Sequence, residues 1–144
     1  MMYEYVIPCP PVTKKNSEQI AKNRKTGKRF IIQSQRYSEY ETAASYFLRP
    51  KPPKPIDYPV TVKCLFFMPT KRRVDTNNLE AAAHDILVKF GVLADDNRDI
   101  IASKDGTRTY QDKENPRTEI TITPFTEEYT QWKDPLEKTN AKRK

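Results

Sequence analysis

A long apolar run followed by an amphipathic one restricts this chain more than anything else in it. Val60–Met68 (VTVKCLFFM) is long, apolar and rich in β-branched and aromatic residues, and Pro69 ends it. That composition reads as a central strand. After a short polar loop, Leu79, Ala82, Ala83, Ile86, Leu87 and Phe90 recur at three- and four-residue spacing, the stripe of a helix with one buried face. The helix is expected over 75–90, with Gly91 as its stop. A strand feeding a helix of this kind needs a further strand to return to, and Asp99–Ser103, extending as far as Tyr110, is expected to lie beside the first.

The flanking segments complete a small mixed layer. Met2–Ile7 (MYEYVI) reads as a first strand, ended by Pro8, Pro10 and Pro11. Thr26-Gly27 marks a hairpin turn, and Arg29–Gln33 (RFIIQ) a strand after it. Ser34 is a natural N-cap for a helix over Gln35–Leu48, whose Tyr37, Tyr40, Ala44 and Phe47 share a face. Five prolines between Arg49 and Pro59 demand an extended linker. Arg117–Thr123 (RTEITIT) alternates cleanly and closes the fold. The expectation is an α/β fold of the α+β kind: a mixed sheet of about four strands with two main helices packed on it. Residues 1–124 form one domain, and 125–144, which loses all periodicity, is a tail that is flexible or partly helical.

Composition narrows the function classes. With 144 residues the chain has room for one real core. Its 26 Lys and Arg against 19 Asp and Glu, a net charge of +7, favour an anionic partner. Cys9 and Cys64 both sit in strand-like runs and are expected to be reduced thiols. With a single histidine, His84, a four-ligand zinc site has no support. Three glycines, at 27, 91 and 106, cannot build a glycine-rich phosphate loop. There is no basic leader followed by a long apolar stretch and no run approaching a membrane span, so a cytoplasmic protein without a membrane partner is expected.

Chemistry concentrates between Lys71 and Arg98 (KRRVDTNNLEAAAHDILVKFGVLADDNR). Lys71, Arg72 and Arg73 run into Asp75, the helix carries Asn78 and Asp85 seven residues apart on one face, and Asp95-Asp96 follows the glycine turn. Asp75 would serve equally as a plain N-cap, and Asp95-Asp96 as a solvated loop. Taken together they suggest carboxylates meeting at one sheet edge, an arrangement that persists when a cation neutralises it. Hard cations such as Mg²⁺ take oxygen ligands and keep several waters, so a few aspartates suffice. Asp75 and Asp96 would bind the ion, with Asp95 or Asp85 assisting. The upstream Lys71, Arg72 and Arg73 suit phosphate contacts, as does a second polar cluster at Lys14, Lys15 and Asn16. His84 is expected to be structural or at the surface.

At this point the residues resemble a known family. Basic–Asp–x–x–Asn–Leu, a helix with an internal Asp, then Gly-Val-x-x-Asp-Asp is similar to the RusA-type Holliday-junction resolvases, and Pro10–Asn16 (PPVTKKN) is similar to their N-terminal proline-plus-asparagine motif. The likeness runs from about Tyr3 to Thr123. It implies a small, homodimeric, Mg²⁺-dependent endonuclease of phage or prophage type, with Mn²⁺ as a substitute, acting on four-way junctions and other branched DNA in recombination and repair. Asp75 then matches the first motif aspartate and Asp96 the second of the paired aspartates, both metal ligands. Asp95 is the partner of Asp96, and Asn78 and Asp85 match recurring helix positions. Two positions depart. Asn77 stands where the best-known members have a second aspartate, and offers a neutral carbonyl oxygen instead. Ala81 stands where they have a lysine needed for cleavage, leaving Lys71, Arg73 or Lys104 to supply a cation. A junction-binding protein with weak or no nuclease activity is the rival reading, and a basic protein with a purely structural Asp cluster is a weaker third.

Overall fold

The computed structural model describes residues 2–14, 18–33 and 35–126, with backbone alone at 18–21 and 30–33. Ser34, Lys15, Asn16 and the tail beyond Thr126 lie outside the described residues. The elements run β1 (Tyr3–Ile7), β2 (Glu18–Lys22), β3 (Arg29–Gln33), α1 (Gln35–Ser45), β4 (Val60–Met68), α2 (Thr76–Lys89), β5 (Ile101–Ser103), β6 (Arg108–Gln111) and β7 (Arg117–Pro124). Among the described residues β2 and β3 pair only with each other, antiparallel, as a separate hairpin.

The main sheet is mixed, in the order β1-β7-β4-β5, with β6 also on β4. β1 and β4 flank β7 antiparallel, whereas β5 and β6 both run parallel to β4. β5 joins β4 at Val60 and Thr61, and β6 joins it from Leu65 to Met68. They are two pieces of one edge strand, so the sheet is four strands wide. The break explains why the expected continuous strand from 99 to 110 does not form. Asn97 accepts the amides of Ile100 and Ile101 on its carbonyl and delays the strand start to Ile101. Gly106, at φ +89°, then turns the chain, and the Thr107 hydroxyl accepts the Cys64 amide at 3.1 Å. A side chain thus replaces the ladder bond that the turn removes.

One face of this sheet is the core. Val60, Val62, Cys64 and Phe66 of β4, Ile120 and Ile122 of β7, and Tyr5 and Ile7 of β1 are all buried. α2 covers β4 with the expected stripe, Leu79, Ala82, Ala83, Ile86 and Leu87. Each large side chain in that stripe contributes about 1.5–3 kcal/mol through burial. α1 lies over β7, where the Tyr40 hydroxyl reaches the Thr118 hydroxyl at 3.3 Å. Phe90 closes α2 as its C-cap and is only half buried.

α1 corrects the sequence expectation at its end. It stops at Ser45 rather than Leu48, because Tyr46 and Phe47 donate to the carbonyls of Ala43 and Ala44, three residues back. That tighter turn rotates the chain. Phe47 is left 42% exposed, and Leu48 fills the core in its place. The proline linker is extended but anchored: Ile56 is buried and bridges Leu93 beyond α2.

Candidate functional site

The loop from β4 into α2 positions the first candidate carboxylate. Asp75 has extended backbone, φ −82° and ψ 116°, and its Oδ1 accepts the Asn77 amide at 2.8 Å. It is therefore the N-cap of α2, satisfying an amide that the helix leaves without a partner. The Thr76 and Thr109 hydroxyls meet at 2.7 Å and tie this helix start to β6. Asn77 is exposed and Asn78 half buried in the same turn.

Asp85 stands ten residues after Asp75, a rise of about 15 Å along the axis. It lines a cavity of about 500 Å³ together with Asp96, Glu41, Lys14 and Lys89. Three carboxylates and two ammonium groups thus share one opening. Lys14 Nζ lies 3.4 Å from Asp85, and Lys89 pairs with Glu41. Both pairs are partly exposed, so each contributes little to stability. Tyr37 borders the same cavity. Burial, reinforced by the Glu41 and Asp85 carboxylates, pushes its phenol far above the ordinary value.

Asp96 reaches this cavity because the chain folds back after α2. Val92 and Leu93 donate to the Leu87 carbonyl, and the linker at Ile56 holds the returning chain at Val92 and Ala94. Asp95 is spent on that turn: it accepts the Asp96 amide at 2.7 Å and the Asn97 side chain at 3.3 Å. The two adjacent aspartates therefore differ in role, one shaping the loop and the other facing the cavity.

The structure brings Asp85, Asp96 and Lys14 together; Asp75 and Asn77, at the start of the same helix, do not border that cavity. Lys71 is exposed on the β4–α2 loop, where Arg72 and Arg73 line a separate cavity. His84 is buried beside the site, its Nε2 without a hydrogen-bond partner among the described residues. Burial lowers its imidazole pKa, against the opposing pull of Glu80, and favours the neutral ring. Lys104 Nζ sits 3.0 Å from Glu80 Oε2, at ion-pair distance but outside hydrogen-bond geometry. A cation from the β5–β6 turn thus meets α2 one residue before Ala81.

Sequence reasoning did not find Glu41, Lys89 or Tyr37. Tyr37 and Glu41 stand four apart on α1, a spacing that marks a shared face. Nothing local says that this face opens toward Asp85. Among the described residues no group of three or more His, Cys, Asp or Glu is arranged to hold a metal ion. The donors are all oxygen, which suits a hard cation that keeps several waters and is held by one or two carboxylates plus substrate phosphate. The residues present fit an ion of that kind rather than one closed in by protein ligands. No helix among the described residues is long and apolar enough to cross a membrane.

No curated protein matches the chain. A family model described as endodeoxyribonuclease RusA matches residues 8–123, most of the sequence, and that span holds β4, α2 and every carboxylate named above. The chain belongs to the RusA endodeoxyribonuclease family.

Proposed function

We propose that this protein is a Mg²⁺-dependent, structure-selective endonuclease that resolves Holliday junctions and related branched DNA. The observation that carries the reading is the meeting of Asp85 and Asp96 in one cavity rimmed by Lys14 and Lys89, inside the matched span. Asp85 and Asp96 would hold the ion; Asp75 and Asn77, about 15 Å away along the same helix, would offer oxygens only to a second one. When bound, the cation lowers the pKa of a water and stabilises charge on the scissile phosphate. Asp95 sets the loop that aims Asp96. Lys14, released from Asp85, would contact a strand phosphate, as would Lys15 and Asn16. Lys71, Arg72 and Arg73 would contact the backbone from the β4–α2 loop, with Asn78 of α2 as a further contact, and Lys104 would supply a cation near Ala81. Symmetric incision of a four-way junction calls for a two-fold homodimer. Phage or prophage origin belongs to the same reading.

The rival, a junction-binding protein that barely cuts, draws on Asn77 and Ala81, and on the fact that no three His, Cys, Asp or Glu among the described residues are arranged to hold a metal ion. One experiment separates the two. The pure chain is incubated with a labelled four-way junction and Mg²⁺ or Mn²⁺. Incision that is lost in Asp96→Asn and Asp85→Asn supports the nuclease. Retention on the junction with no incision in either metal supports the binding protein.

A further inference from the structure

The second cavity, about 370 Å³, borders the N-terminal loop just before Lys14, and the proposed function does not account for its shape. Three guanidinium groups line it: Arg36 from the start of α1, and Arg72 and Arg73 from the β4–α2 loop. Among the described residues none of the three has an ion pair and no carboxylate lines the cavity. The remaining wall is mostly apolar and includes Pro11, Met68 and Val74. Arginines with no ion pair among the described residues, around an opening whose described lining holds no carboxylate, suit an anion. The apolar wall offers a base a surface that a bare phosphate would leave unused.

We infer that this cavity takes a single unstacked nucleotide of a DNA strand, its base against the apolar wall and its phosphates on the three arginines. Extruded bases are held in this way, between apolar side chains, and extrusion costs least where pairing is already broken, as at a strand crossover. Guanidinium planes can also stack on a base. The volume lies within the roughly 300–1,000 Å³ of small-ligand pockets. The two linings are neighbours in the chain. Pro10–Thr13 line this one while Lys14 lines the other, and Arg36 lines this one while Tyr37 and Ser38 line the other. A captured nucleotide would therefore leave the strand running on toward Asp85 and Asp96. The inference rests on the proposed function and adds Arg36 as a residue that positions the strand.

The test uses the full chain, a four-way junction without divalent metal, and 2-aminopurine placed in turn at each nucleotide flanking the crossover. Unstacking should raise its fluorescence several-fold at one position in the junction and at none in a matched duplex. Arg36→Glu and Val74→Phe, which fills the cavity, should abolish the rise. Arg36→Ala should flatten the slope of log affinity against log salt by about 0.7–0.9, one phosphate contact. Should Val74→Phe fail to fold, the exposed Arg36→Glu carries the test. Junction bound with no rise at any position overturns the inference, and so does a rise that Arg36→Glu leaves intact. Free deoxyadenosine monophosphate displacing the junction at equal concentration would mark a site for free nucleotide and overturn it too. Metal-dependent cutting lost in Asp96→Asn, alongside silent 2-aminopurine, sinks this inference alone. Failure to bind any junction sinks the proposed function with it.

Discussion

Asp75 has two separable duties, and substitution can divide them. Its Oδ1 accepts the Asn77 amide at 2.8 Å, and its charge lies at the positive end of α2. Replacing it with alanine removes both contributions, about 1 kcal/mol for the cap and about 0.5 kcal/mol for the charge against the helix dipole. Asparagine caps nearly as well as aspartate, so Asp75→Asn should lose only the second. For a domain of this size about 1 kcal/mol moves the melting temperature by about 4 °C. The alanine variant should therefore melt about 6 °C lower and the asparagine variant about 2 °C lower. In high salt the smaller loss should vanish, because the dipole contribution is screened. Differential scanning calorimetry at two salt concentrations reads both values. If the carboxylate also serves phosphodiester hydrolysis, Asp75→Asn abolishes junction cutting while remaining nearly as stable as the parent. Equal losses of melting temperature in the two variants would refute the capping argument, and full cutting by Asp75→Asn would remove Asp75 from the catalytic proposal.

Other outcomes follow from the core and the turns. Burial pushes the Cys64 thiol up from 9.0 to about 12 and the Tyr40 phenol from 10.0 to about 12. Both groups hold their protons more tightly when folded, so their contribution is complete below pH 9 and is lost as pH rises through about 12. Urea midpoints should fall over that window at roughly 1 kcal/mol per pH unit per group, and a flat profile would contradict it. Under native conditions a thiol reagent should label the half-exposed Cys9 well before Cys64, and equal rates would mean that the sheet opens readily. Gly106→Ala should cost more than Gly91→Ala in thermal melts. Both have positive φ, but only at Gly106 would a Cβ meet a neighbour, Lys63 Cδ at 2.8 Å. Leu87→Ala should destabilise by about 2–5 kcal/mol, seen as a lower urea midpoint at unchanged slope.

Local chemistry made most elements readable. The alternation of β7 and the stripe of α2 each answer to one period, 2 or 3.6 residues, and burial followed both patterns. The misses fall where one bond changes the phase. Two short turns at the end of α1 exchanged Phe47 for Leu48, and the turn at Gly106 split the edge strand. Neither change alters composition, so neither leaves a mark on periodicity. At the site, the double aspartate was visible, but not that Asp95 would bond its neighbour's amide and leave Asp96 to face the cavity.

The order of residues by itself determined that this chain builds a mixed layer around one long strand, starts a helix at about Asp75 and carries acid and base on the same short segment. These are matters of spacing between near neighbours, and short-range sterics and burial decide them. Only the tertiary structure decided which charges share a cavity. Glu41 reaches Asp85 because α1 and α2 lie on one sheet face, and Arg36 reaches Arg72 because α1 starts beside the end of β4. Such meetings depend on the path of the backbone across dozens of residues, and no local pattern encodes that distance.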